Sequence, residues 1–72
     1  MIHEFTQDHW TNAGDTFIML IEKEEPGKHL IQVYKKDDDG GYIPINVGIK
    51  DTNNSVILSV NRISFEGYVV IK

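Results

Sequence analysis

The chain reads as an all-β protein, a small antiparallel β-sandwich of five to six strands with no substantial helix. Three observations predict this. Apolar runs of strand length recur between clusters of turn formers, namely Pro26-Gly27, Asp38-Asp39-Gly40-Gly41 and Asp51-Thr52-Asn53-Asn54. Some of these runs alternate apolar and polar residues with period two, the signature of a half-buried strand. Others are apolar on both faces: Phe17 to Ile21 and Tyr68 to Ile71 throughout, and Val56 to Val60 apart from Ser59. A strand of that kind needs cover on both sides. The 72 residues make a single domain, 1–72, near the lower limit for folding on core burial alone.

In chain order, His3 to Thr6 forms a short first strand. Thr11 to Asp15 contains Asn12, Gly14 and Asp15 and reads as a loop. Strands follow over Thr16–Lys23, His29–Lys36, Tyr42–Ile49, Ser55–Asn61 and Gly67–Lys72. Asn61 to Glu66 is an irregular link around a buried Phe65, and Trp10 is a core plug closing one end of the sandwich. Pro26-Gly27 favours a type II turn, which suits a wide connection between sheets better than a tight hairpin.

Side-chain parity tests the register. Placing Ile31 and Val33 on the same face as Ile43, Ile45, Val47 and Ile49 sets Val33 opposite Ile45. It also requires a three- or five-residue loop centred on Asp39, with glycines at hand for a left-handed position. The opposite face then carries Gln32, Tyr34, Lys36, Tyr42, Pro44 and Asn46. Pro44 cannot donate a ladder hydrogen bond, so its strand belongs at a sheet edge or a bulge. Val56, Leu58 and Val60 on the core face fall opposite Ile49, Val47 and Ile45, with Asp51–Asn54 as a four-residue loop. Ile18 and Leu20 are assigned to this core. Phe17, Met19, Ile21 and Ile57 are left on a second apolar face, available for self-association.

Composition narrows the function classes. Net charge is −4, and Lys35-Lys36 is followed at once by Asp37-Asp38-Asp39, which argues against nucleic acid as a partner. There is no Cys, hence no disulfide or thiolate metal site. No stretch approaches the length of a membrane span, and the first residues lack the pattern of a signal peptide. The Asn53-Asn54-Ser55 sequon is therefore expected to stay unmodified.

Catalytic, cofactor and metal sites are not expected. His3, His9 and His29 lack ligand spacing, and Asp37–Gly41 departs from a calcium loop at its first and last ligand positions, so it reads as a hairpin tip. No nucleophile turn or phosphate-binding glycine motif is present. The aromatic and amide residues Gln32, Tyr34, Tyr42 and Asn46 are the better candidates, as a surface for a sugar or a protein.

One family shares the order of these features. Phe5-Thr6 is followed by Trp10, a strand, His29 leading to Val33-Tyr34, and then Ile57-Leu58-Ser59-Val60 with Phe65-x-Gly67-Tyr68-Val69-Val70-Ile71. This series resembles the small C-terminal β-domains of bacteriophage tail and head fibre proteins. The resemblance implies a homotrimeric β-sandwich in the virion, at a fibre or tail tip, made in the host cytoplasm. Its role there would be trimerisation or attachment to a host-surface glycan or protein. Two other classes fit the residues: a small acidic inhibitor or regulator of a host protein, motivated by the net charge and the Asp37–Asp39 tip, and a monomeric carbohydrate-binding module.

Overall fold

The computed structural model describes residues 1–72 and contains eight strands and one short 3-10 turn. The strands are β1 (Ile2–Phe5), β2 (Thr11–Ala13), β3 (Thr16–Glu22), β4 (Ile31–Lys36), β5 (Tyr42–Ile45), β6 (Gly48–Asp51), β7 (Ser55–Asn61) and β8 (Gly67–Ile71). They form two four-stranded sheets, β1-β8-β4-β5 and β2-β3-β7-β6, in which every pairing is antiparallel. The molecule is thus a small all-β sandwich.

The first sheet follows the sequence closely. Val33 lies opposite Ile45 and Lys36 opposite Tyr42, which leaves a five-residue loop centred on Asp39. Gly40 takes the left-handed position there, with φ +89°. The loop's acidic residues serve its own backbone: Asp37 Oδ1 accepts the Asp38 N–H and Asp39 Oδ1 accepts the Gly41 N–H, each at 2.9 Å. Pro44 sits on β5, an edge strand, where its missing N–H leaves no gap in the sheet. The connection through Pro26-Gly27 does carry the chain from one sheet to the other.

Four expectations are corrected. Thr11–Asp15 is not a loop throughout: β2 pairs with β3 through a two-residue turn, Gly14-Asp15, in which only Gly14 has positive φ, +73°. Glycine at the first central position suits a type II′ hairpin, whose twist matches the flanking strands. Tyr42–Ile49 is not one strand, because Asn46 and Val47 carry the chain from β5 in the first sheet to β6 in the second. The β6–β7 register is two residues away from the expected one, with Ile49 opposite Leu58 and Asp51 opposite Val56, so the loop shortens to Thr52–Asn54.

The fourth correction inverts β3. Phe17, Met19 and Ile21 pair with Val60, Leu58 and Val56 on the inner face, and Met19 and Ile21 are only 5 % and 2 % exposed. Ile18 and Leu20 face solvent instead, at 36 % and 60 % exposure. Phe17 is half-buried against the same core. These three residues therefore do not form an outer face for self-association. Ile57 alone of that group lies on the outer face, beside Leu20. A strand that is apolar at five successive positions has no alternation to read, so its facing follows from its neighbours.

The core comprises Phe5, Trp10, Met19, Ile21, Val33, Val56, Leu58, Phe65, Val69 and Ile71. One end is closed by aromatic rings. Trp10 meets Phe5 edge-on at 5.5 Å and lies 5.3 Å from Phe65, and its indole N–H donates to the Phe65 carbonyl at 2.9 Å. That bond satisfies the polar edge of an otherwise apolar plug.

The opposite end is closed by charge. Lys23 follows β3 on the inward parity, with its side chain 1 % exposed, and its ammonium bonds to the Asp51 carboxylate and to the carbonyls of Gly27 and Thr52. Three acceptors match the three N–H donors of an ammonium, which is what makes burial of the charge tolerable. The Lys23 hydrogen bond, reinforced by the His29 N–H, holds the Asp51 carboxyl below its ordinary value of 3.8 against a smaller opposing effect of desolvation.

Candidate recognition face

The outer face of the first sheet carries all three tyrosines of the chain. Tyr34 on β4 lies directly opposite Tyr68 on β8, and cross-strand neighbours on one face bring their side chains together. Their rings stack with centroids 4.8 Å apart and planes 19° from parallel. Tyr42 reaches across from β5 to meet Tyr68 edge-on, at 4.9 Å and 66°. Offset-stacked and edge-to-face contacts are the favoured aromatic geometries, worth roughly 0.5–1.5 kcal/mol each beyond burial. The result is a preformed aromatic surface, with Tyr42 45 % exposed and the other two half-buried.

Polar groups frame the cluster. Glu4 on β1 continues the row that holds Tyr68, Tyr34 and Pro44. Lys36 and Glu66 approach within 3.5 Å across the solvent-facing rim, where both remain about half exposed. Such a pair contributes little to stability. A hollow of about 320 Å³ is bounded by Tyr42, Glu4, Glu66, Thr6 and His9. The 3-10 turn Gln7–His9 orients that histidine, whose Nδ1 accepts the Thr6 N–H at 3.1 Å.

Of the four sequence candidates, Tyr34 and Tyr42 belong to the cluster through Tyr68. Gln32 lies on the same face, one row away, opposite Val70. Asn46 falls in the crossing between the sheets and shares with Gln32 and Pro44 a shallow depression at the end of β5. Tyr68, the residue that joins the other two rings, was absent from the sequence candidates. Its parity within Gly67–Lys72 was readable, but the adjacency of β8 to β4 was not, because the intervening strands separate them in the chain.

The histidines are dispersed. His29 Nδ1 lies 3.0 Å from the Gly27 carbonyl near the Lys23 end, and His3 is half-buried on β1. No group of three or more His, Cys, Asp or Glu side chains is arranged to hold a metal ion. No buried side-chain nitrogen or oxygen lacks a hydrogen-bond partner. No helix is long and apolar enough to cross a membrane.

No family model matches the chain, and neither a curated protein nor a solved structure does so.

Proposed function

We propose that this chain is a non-catalytic attachment module of the phage-fibre type, displayed on a virion, and that the Tyr34–Tyr42–Tyr68 face contacts a host-surface glycan or protein. The observation that carries the reading is the exposed aromatic cluster itself, built on three adjacent strands rather than on a loop. Stacked rings give a large contact area with little side-chain entropy left to lose. Gln32 supplies an amide, and Glu4 and Glu66 supply acceptors suited to hydroxyl or amide donors. The family resemblance of the sequence agrees with such a role.

Binding of the fluorescently labelled protein to host cell envelopes and to a glycan array tests this reading. The expected result is binding by the parent protein that falls at least tenfold in Tyr42→Ala, with folding unchanged by circular dichroism. Undiminished binding by Tyr42→Ala and Tyr34→Ala would overturn the assignment of the face. Stoichiometric capture of one soluble host enzyme, without envelope binding, would favour the acidic inhibitor instead.

A second reading concerns assembly and rests on the other sheet. Leu20 lies opposite Ile57, and Ile18 lies two residues along β3 from Leu20 and diagonal to Ile57, which makes an apolar patch on the outer face of β3 and β7. In a homotrimer this patch would be the covered surface. Light scattering that reports three chain masses, reduced to one by Leu20→Glu, is the expected result; a monomer at high micromolar concentration would exclude it.

A further inference from the structure

The two sheets do not close against each other everywhere. Beside the aromatic plug, at the corner where the chain crosses from β5 to β6, a cavity of about 540 Å³ opens to solvent. That size falls within the roughly 300–1,000 Å³ common for small-molecule sites. Val47, Val60 and Phe65 make its apolar wall, and Asn46 and Asn61 contribute amides. Lys35 is the one charged residue that lines it.

Lys35 stands out by its position. It shares the inward parity of Val33 on β4, between Gly67 on β8 and Ile43 on β5. It is half-buried, and the ion pairs of the molecule involve Lys23 and Lys36 instead. Of the acidic residues that follow it in the hairpin tip, Asp37 and Asp39 accept backbone amides, and neither these nor Asp38 forms an ion pair with Lys35. An ammonium without a counterion attracts an anion more strongly where water is partly excluded than in bulk solvent. The mixed lining adds a second requirement, since the anion must also carry an apolar body.

We propose that this cavity binds a small amphipathic monocarboxylate. The carboxylate sits on Lys35 within reach of the Asn46 and Asn61 amides, and the hydrocarbon body lies along Val47, Val60 and Phe65. The site lies between the sheets, separate from the tyrosine face, so it stands or falls independently of the attachment reading.

Octanoate and its neutral analogue octanamide are the probes, titrated into the intact 15N-labelled protein. Octanoate is expected to shift the amide signals of Val47, Gly48, Ser59 and Val60 saturably, and to bind about tenfold tighter than octanamide, the size of one charge-assisted hydrogen bond in a partly wet site. Lys35→Gln should remove that difference while Lys35→Arg retains it. In the parent protein, raising the salt concentration should weaken octanoate and leave octanamide unchanged. No saturable shift at millimolar octanoate, shifts located elsewhere, or equal affinity for the two probes overturns the proposal. Equal affinity would mean that Lys35 only covers the core with its stem and keeps its ammonium in water. The salt comparison needs no variant, so it decides the matter even if Lys35→Gln fails to fold.

Discussion

Replacing Met19 and Leu20 separately by alanine tests the facing of β3. The two residues are neighbours of similar size, one 5 % and the other 60 % exposed. Met19→Ala removes a side chain that packs beside Leu58, which is itself completely buried, and leaves a void between the sheets. Truncations of this kind destabilise by roughly 2–5 kcal/mol. Leu20→Ala uncovers no cavity and should stay within about 1 kcal/mol. At roughly 0.05–0.15 kcal/mol per residue, the whole domain has only about 4–11 kcal/mol of stability, so the first change is a large share of it and the second is not. Urea denaturation followed by tryptophan fluorescence reads both, since Trp10 sits inside the core. The midpoint should fall markedly for Met19→Ala alone, with an unchanged denaturant slope. A Leu20→Ala loss equal to or larger than that of Met19→Ala, independent of protein concentration, would refute the inward assignment of Phe17, Met19 and Ile21. A Leu20→Ala loss that grows with protein concentration would instead report self-association through the outer patch.

Three further outcomes are expected. Gly67→Ala should unfold the domain or lower its stability by roughly 3 kcal/mol or more, because an added Cβ would lie 1.9 Å from the Tyr34 carbonyl oxygen and force apart the central β4–β8 pair; thermal melting measures this, and a melting temperature equal to the parent's would contradict it. Trp10→Phe should destabilise by about 1–3 kcal/mol, since it leaves the buried Phe65 carbonyl without its indole donor; an unchanged urea midpoint, followed by circular dichroism because the variant has no tryptophan, would show that the hydrogen bond contributes nothing. For Asp51, whose carboxyl is held below 3.8 in the folded protein, the linked stability is fully present above that value and is lost as pH falls through the lower folded one; the stability gap between the parent and Asp51→Asn should therefore narrow with acidification below 3.8, and a gap independent of pH would rule out the linkage.

Much of the site was readable along the chain. Period-two alternation in Ile31–Lys36 and Tyr42–Ile45 placed Tyr34 and Tyr42 on one solvent face, and the Asp39-centred loop fixed their register. The cavity at Lys35 was not readable in this way. It exists because Asn46 and Val47 carry the chain between sheets, and a run of alternating residues looks the same whether it stays in one sheet or leaves it.

Local chemistry alone therefore specified the Asp39-centred hairpin that joins β4 to β5, a glycine in its left-handed position, an edge or bulge setting for Pro44 and the plugging role of Trp10. Each follows from backbone preference or from a polarity pattern carried by a few adjacent residues. The facing of β3, the contact of Tyr68 with Tyr34 and the burial of Lys23 against Asp51 were decided by tertiary structure. An unbroken apolar run has two equally acceptable faces until a neighbour such as Leu58 covers one of them. A buried ammonium becomes acceptable only when distant acceptors at Gly27, Asp51 and Thr52 converge on it.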